Sequence, residues 1–164
     1  MAFPAFVREF GRAVRDKGIR VHLETAAVDP DALSQCVDQV DHLSADYKLP
    51  ETLGAPAKPE FAVPPAGFGE RHRRCCEIAL KRGASVDVKI VVTAAVGDAS
   101  FERALADFAP LREKILLVLQ PVTPFGAVTK PVDRQELERF THLAMRASFD
   151  LRVLPQVHKT LQIP

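Results

Sequence analysis

A polar segment near the end of the chain holds residue types that can bind a small ligand. Gln156, His158 and Lys159 follow a β-type run at residues 151–154. Amide, imidazole and ammonium groups form directed hydrogen bonds, and parallel α/β folds place such groups just beyond the carboxyl ends of their strands. A lone histidine is more often a surface residue, but beside Gln156 and Lys159 at a strand end it predicts a ligand site.

The other expected strands also end in polar residues. These are Glu24 and Thr25; Ser44, Asp46 and Lys48; Lys89 and Thr93; and Gln120 and Thr123. In a parallel sheet all of these strand ends meet at one rim. A rim that combines carboxylates, ammonium groups and amides suits a polar, anionic ligand that forms many hydrogen bonds.

Simpler roles stay open for several of these residues. Glu24 and Thr25 could cap the segment that follows them, and Asp46 and Lys48 could be a solvated ion pair on a loop. Lys89 lies inside an apolar strand, where a charge is costly unless it is paired. The residues alone therefore leave both a binding role and a structural role possible.

The elements that position these residues alternate along the chain. Strands are expected at residues 19–23, 42–45, 86–93, 115–119 and 151–154, and residues 49–69 are expected to form a proline-rich loop. Asp29 caps a helix whose apolar face runs to Val40, and Asp133 with Glu136 begins another helix. Apolar strands that alternate with amphipathic helices, without hairpin signals, predict an α/β fold with about five parallel strands.

Composition limits the classes of function. The chain has 164 residues, 47% of them hydrophobic, and a formal net charge of +1. This predicts a single domain over residues 1–164, with no nucleic-acid footprint and no membrane surface. No apolar run approaches the roughly 20 residues of a membrane span.

The cysteines predict neither disulfides nor a metal site. Cys36, Cys75 and Cys76 are an odd set without framework spacing, which is typical of a reducing cytoplasm. Cys75 and Cys76 are expected to pack within a helix. His72, which lies in a run of three arginines on the same helix, is expected on its solvated face.

Six segments of the chain resemble 7-carboxy-7-deazaguanine synthase, a family of the radical S-adenosylmethionine superfamily. They keep the family's order and spacing over essentially the whole chain. The segments are residues 21–25 (VHLET), 44–50 (SADYKLP), 72–74 with 77–80, 88–93 (VKIVVT), 119–124 (LQPVTP) and 151–159 (LRVLPQVHK).

This resemblance implies a modified, partial (β/α) barrel and a reaction in the biosynthesis of 7-deazapurines such as queuosine. Family members convert 6-carboxy-5,6,7,8-tetrahydropterin to 7-carboxy-7-deazaguanine by radical ring contraction. A [4Fe-4S] cluster cleaves S-adenosylmethionine, and magnesium assists. The resemblance thus implies S-adenosylmethionine, the cluster and magnesium as cofactors, and a homodimer as the assembly.

The resemblance also assigns expected binding roles to matching positions. S-adenosylmethionine is expected at Glu24, Thr25, Ser44, Lys48 and Gln120, and the pterin substrate at Gln156, His158 and Pro164. The chain departs from the family where Ala26 and Ala27 replace a small residue and a glycine after the Glu-Thr pair. The backbone turn there is expected to differ.

The family's three-cysteine motif and its Gly-Gly-Glu-Pro motif both precede the part that this chain resembles, and the sequence contains neither. The chain therefore resembles the C-terminal portion of such an enzyme, and by itself is expected to bind no cluster. Its expected partner is a second copy or the missing N-terminal half. Two alternatives remain: a fragment of another radical S-adenosylmethionine enzyme, such as a glycyl-radical activating enzyme, and a non-catalytic α/β module that binds a partner or small ligand.

Overall fold

The computed structural model describes residues 3–52, 67–124 and 129–155. Its five strands are β1 (His22–Thr25), β2 (His42–Tyr47), β3 (Ser85–Val92), β4 (Leu116–Pro121) and β5 (Asp150–Val153). All neighbouring strands are parallel, and their order in the sheet is their order along the chain. Such an order is that of a (β/α) barrel rather than of a doubly wound sheet. The predicted α/β partial barrel is confirmed.

Within these described ranges, five helices accompany the strands: α1 (Pro4–Arg15), α2 (Pro30–Ser34), α3 (Phe68–Lys81), α4 (Asp98–Phe108) and α5 (Arg134–Arg146). The two predicted caps are present. The Asp29 carboxylate accepts a hydrogen bond from the Ala32 amide at 3.0 Å. Asp133 and Glu136 form a reciprocal capping box, with both hydrogen bonds at 2.8 Å. Short 3₁₀ turns lie at Val37–Gln39, Pro50–Thr52 and Ala109–Leu111. No helix in the described part of the chain is long and apolar enough to cross a membrane.

The first two strands begin or end elsewhere than the sequence predicts. β1 starts at His22 rather than residue 19, because the Val21 amide donates to the Asp41 carboxylate at 2.7 Å instead of joining the strand ladder. β2 continues past Ala45 to Tyr47, because Asp46 and Tyr47 still pair with β3. Asp46 therefore lies within a strand, not on the loop after it.

The predicted second helix is also shorter than expected. α2 ends at Ser34, and a turn and a 3₁₀ segment replace its continuation. Its predicted apolar residues are nevertheless all buried: Leu33, Cys36, Val37 and Val40. The apolar residues of this segment therefore pack in the core as predicted, although the chain leaves the regular helix before it enters β2 at His42.

The sheet has one apolar face and one largely polar face. Residues such as Leu43, Val88, Ile90, Leu117 and Leu119 belong to the hydrophobic core and are fully buried. Because side chains alternate along a strand, the residues between them face the other side. We call this side the polar face, and it is defined by His22, Glu24, His42, Ser44, Asp46, Ser85, Asp87, Lys89, Gln120, Asp150 and Arg152.

Candidate functional site

Strand register orders the polar face into rows. His22, His42 and Ser85 are neighbours at the amino-terminal ends of the first three strands. Lys48 follows the carboxyl end of β2, and Gln120 is near the carboxyl end of β4. The carboxyl ends are where barrel folds hold their ligands, and both residues lie at that edge; their binding roles stay a prediction.

Glu24 and Lys89 meet across β2. The Lys89 ammonium donates to the Glu24 carboxylate at 2.7 Å. The lysine side chain is only 17% exposed, whereas that of the glutamate is 60% exposed. This pairing explains how an apolar strand tolerates Lys89, because a charge there is costly unless it is paired. It also leaves the second carboxylate oxygen of Glu24 accessible to a ligand.

Thr25 ends β1 and caps the turn that follows it. Its hydroxyl oxygen accepts a hydrogen bond from the Ala27 amide at 3.3 Å. Ala27 is buried and has φ +48°, in the left-handed region that favours glycine. Ala27 therefore adopts a backbone conformation that glycine favours, and the capping role that the sequence left open is present.

Ser44 lies deeper in the sheet than the other predicted rim residues. It is 2% exposed, and its hydroxyl donates to the Asp87 carboxylate at 2.7 Å. Two residues further along β2, the Asp46 carboxylate accepts from the Lys48 ammonium, also at 2.7 Å. The expected Asp46–Lys48 pair is thus present, but Asp46 is held by the strand.

Asp46 also has an unused acceptor. Its Oδ1 atom is buried, and no described residue donates a hydrogen bond to it. A buried carboxylate oxygen without a donor is unfavourable by about 1–3 kcal/mol. It therefore marks a position beside Lys48 where a donor group would be stabilised.

Gln120 is separated from Lys48 by β3. It is half-buried on the polar face of β4, in register with Val91. Strands in a sheet are about 4.8 Å apart, so β2 and β4 are separated by about 10 Å. Only an extended ligand could contact both residues. The predicted substrate residues Gln156, His158 and Pro164 lie outside the described residues.

His72 is not on a solvated face, contrary to the sequence-based prediction. It is fully buried, and its ring lies 4.5 Å from that of Phe68 and 4.9 Å from that of Tyr47. Burial lowers the pKa of His72 to about 4, although the nearby Asp46 opposes this effect. The prediction was wrong because it was based on the neighbouring arginines. His72 shares the inner face of α3 with Cys75 and Cys76.

The three cysteines are buried, as expected of packing residues. Burial raises the pKa of the Cys75 thiol to about 11 and that of Cys76 to about 12, and it also raises the pKa of Cys36. Thiolate is the form that binds metals. These thiols are therefore poor cluster ligands, and no group of three cysteines lies together in the described residues.

Sequence reasoning missed three neighbouring residues on the polar face: His22, His42 and Asp87. Their donor atoms all lie within 4.8 Å of one another. A signal was present, because both histidines open a strand and Asp87 interrupts the apolar run of β3. Their proximity depends on strand register, which the sequence does not give directly.

Comparisons with known proteins give a sequence relation and a fold relation. No protein-family model matches the chain. The chain is 35% identical over 141 residues to the 7-carboxy-7-deazaguanine synthase of Geobacter sulfurreducens, covering 85% of this chain and 50% of that protein. It is 31% identical over 155 residues to that of Methanopyrus kandleri, covering 93% of this chain and 52% of that protein.

Among solved structures, a domain of the pyruvate-formate lyase-activating enzyme from Bacteroides vulgatus matches with a TM-score of 0.70. The match covers 92% of this chain and 91% of that chain, at 13% sequence identity. At this identity the likeness shows a shared fold alone.

The sequence relation is more specific than the fold relation, because two curated relatives with the same name match at 31% and 35% identity. It confirms the resemblance that the six segments carry. The chain spans about half the length of these relatives. The chain is therefore a homologue of the 7-carboxy-7-deazaguanine synthases and belongs to their family.

Proposed function

We propose that this chain is the C-terminal, ligand-binding portion of a 7-carboxy-7-deazaguanine synthase that acts in 7-deazapurine (queuosine) biosynthesis in the cytoplasm. The complete enzyme would convert 6-carboxy-5,6,7,8-tetrahydropterin by radical ring contraction. The observation that carries this proposal is the 35% identity to a synthase of that name over 85% of the chain. The polar residues of the carboxyl rim, in family order, support it.

The rim has the chemistry that S-adenosylmethionine requires. This cofactor has a carboxylate, an ammonium group, ribose hydroxyls and an adenine. The Lys48 ammonium can donate to the carboxylate or a hydroxyl, and the Gln120 amide can both donate and accept. The accessible oxygen of Glu24 and the unused oxygen of Asp46 can accept from the ammonium or hydroxyl groups.

The pterin substrate belongs, in this proposal, beside the same rim. Gln156 and His158 follow β5, whose neighbour β4 carries Gln120. Together with Pro164, they are proposed to contact the polar edges of the bicyclic ring. Ser44 and Thr25 would act indirectly, since their hydroxyls are engaged with Asp87 and Ala27.

The [4Fe-4S] cluster does not fit the thiols of this chain. All three are buried, and their pKa values are raised by burial. Binding and orienting ligands is therefore the role proposed for this chain, and the cluster is assigned to the other half of the enzyme. The match to an activating enzyme does not favour a glycyl-radical activating function for this chain, because at 13% identity it shows a shared fold alone.

Titration calorimetry with S-adenosylmethionine and the pterin tests the proposal. Loss of one charge-assisted hydrogen bond costs about 1.5–3 kcal/mol, so Lys48→Ala, Gln120→Ala and His158→Ala should each weaken binding by about tenfold to a hundredfold. Lys114→Ala and Gln135→Ala change exposed residues of the same types elsewhere and should leave binding unchanged.

Two results would contradict the proposal. One is a folded chain that binds neither ligand, which would favour a non-catalytic module with another partner. The other is equal binding by the wild type and all three rim variants, which would place the ligand elsewhere on the chain.

A further inference from the structure

A second cluster of chemistry-bearing residues lies at the opposite end of the polar face from Lys48 and Gln120. His22 opens β1 and is the register neighbour of His42, which opens β2. His42 is in turn the neighbour of Ser85, and Asp87 lies two residues further along the same face of β3. We propose that His22, His42 and Asp87 form a binding site for a divalent transition-metal ion such as Zn²⁺.

The distances are close to those that a shared ion needs. The three donor atoms all lie within 4.8 Å of one another, and His42 Nε2 is 2.5 Å from Asp87 Oδ1. Zinc binds nitrogen and oxygen at about 2.0–2.2 Å, so ligand atoms in a tetrahedral site are about 3.4 Å apart. Adjustments of about 1 Å would reach this geometry. His42 Nε2 and Asp87 Oδ1 must move apart by about 0.9 Å, and the exposed side chain of His22 can adjust its own position by rotation.

The ligand types indicate which ions would bind. Imidazole suits zinc, iron, nickel and copper, and a set of two histidines and one carboxylate with open positions is typical of divalent transition-metal sites. Magnesium prefers an octahedral shell of oxygens, which this set does not offer. His22 is exposed and His42 partly exposed, so solvent can complete the coordination shell.

Hydrogen bonds already orient two of the three ligands. His42 Nδ1 lies 2.7 Å from the Ser85 hydroxyl, which can itself donate to the Asp41 carbonyl at 3.4 Å. In that arrangement Ser85 accepts from Nδ1–H and Nε2 faces Asp87 Oδ1, with which it is hydrogen-bonded when no ion is present; a bound ion would replace this hydrogen bond. The second oxygen of Asp87 accepts from Ser44 at 2.7 Å. Metal-binding histidines and carboxylates are commonly held in this way.

The site would also stabilise the edge of the sheet. β1 is an edge strand and pairs with β2 alone among the described strands. An ion bound by His22, His42 and Asp87 joins β1 to both β2 and β3 at their amino-terminal ends. Because an ion that binds only the folded chain shifts the folding equilibrium, its binding should raise the melting temperature.

The test uses the chain after treatment with a chelator, with Zn²⁺ alone as the probe. Calorimetry should show one ion bound per folded chain. His22→Ala removes an exposed ligand that makes no side-chain hydrogen bond to the described residues, so the variant should fold but bind at least about tenfold more weakly. Asp87→Asn keeps an acceptor for Ser44 and should show a similar loss. His142→Ala changes an exposed histidine on α5 and should bind like the wild type.

Two further readouts distinguish this site from adventitious binding. Zn²⁺ should raise the melting temperature of the wild type and of His142→Ala. It should raise the melting temperature of His22→Ala much less. Bound Co²⁺ should give an absorption spectrum typical of nitrogen and oxygen ligands. Absence of stoichiometric binding, undiminished binding by His22→Ala, or a thiolate-to-cobalt band would each overturn the site. None of these results depends on the proposed synthase function.

Discussion

At the residue scale, the buried polar groups of this chain divide into those with partners and those without. Lys89 and Ser44 are satisfied by Glu24 and Asp87 across neighbouring strands. His72 is different, because neither ring nitrogen has a hydrogen-bond partner among the described residues. A buried imidazole without partners is held in its neutral form, since desolvation opposes the charge.

His72 should therefore make the fold sensitive to acid. Its pKa is lowered from 6.5 to about 4 by burial, so between these values the unfolded chain binds more protons than the folded chain. The free energy of unfolding should fall as the pH drops from 6.5 towards 4, by at most about 3 kcal/mol from this group. Above pH 6.5 the group should contribute no pH dependence.

Denaturant unfolding of His72→Met at several pH values measures this contribution. The variant should lose less stability than the wild type between pH 7 and pH 5. His142→Met, which changes an exposed histidine, should keep the wild-type dependence. Equal pH slopes for the wild type and His72→Met would show that His72 is protonated without cost in the folded chain.

At the element scale, α3 and α5 contact the sheet directly, whereas α1 precedes the first strand and packs on the 3₁₀ turn Val37–Gln39. The contact is made through Gly11, which is buried in the helix. A Cβ atom on Gly11 would lie 2.6 Å from the Cβ atom of Gln39, at the stem of that side chain. Close backbone approach is therefore one contact that docks α1, beside the hydrogen bond from Arg15 to the Asp38 carbonyl at 2.9 Å.

Gly11→Ala should undock α1 from this turn. Alanine improves helix propensity by about 1 kcal/mol, but overpacking typically costs about 1–3 kcal/mol. An undocked helix of 12 residues is marginal in water. Amide hydrogen exchange across residues 4–15 should accelerate, while exchange in β2 and β3 stays slow.

Gly97→Ala is the matched control, because a Cβ there would meet nothing within 4 Å. It should leave the exchange rates of α1 unchanged. Unchanged protection of α1 in Gly11→Ala would mean that Gln39 moves aside easily and that Gly11 does not determine the docking.

At the scale of the whole molecule, two features favour association. β1 is an edge strand. Phe3, just before α1, and Phe6 and Phe10 within it are 72%, 67% and 52% exposed. Exposed strand edges pair with other chains, and exposed apolar patches promote binding. A formal net charge of +1 provides little repulsion against it.

We predict that the chain self-associates as its concentration rises, and that Phe6→Ser with Phe10→Ser reduces this association. The two rings stack on each other with centroids 5.8 Å apart, so replacing both removes one continuous apolar patch. Light scattering over a concentration series measures the change. Met145→Ser removes an equally exposed apolar side chain from α5 and should have little effect.

A monodisperse, cooperatively unfolding monomer at all concentrations would contradict this prediction. It would show that the five-stranded unit is complete by itself. Such a result would strengthen the alternative of an independent binding module.

Local pattern alone determined which segments become strands and helices, and hence the parallel α/β architecture. The apolar strands at β3 and β4 and the caps at Asp29 and Asp133 required no long-range information, because periodicity and capping act within a few residues. The same pattern predicted that Lys89 must be paired. It also predicted a polar rim, since all the ends of parallel strands lie at one edge.

Tertiary structure decided everything that depends on register and on which helix face turns inward. Register brings His22 beside His42 and places Asp87 on the same face, although about 65 residues of sequence separate the first from the last. The packing of α3 buries His72 beneath an arginine-rich stretch. Such contacts arise between segments that are distant in sequence, so no local pattern of residue types could reveal them.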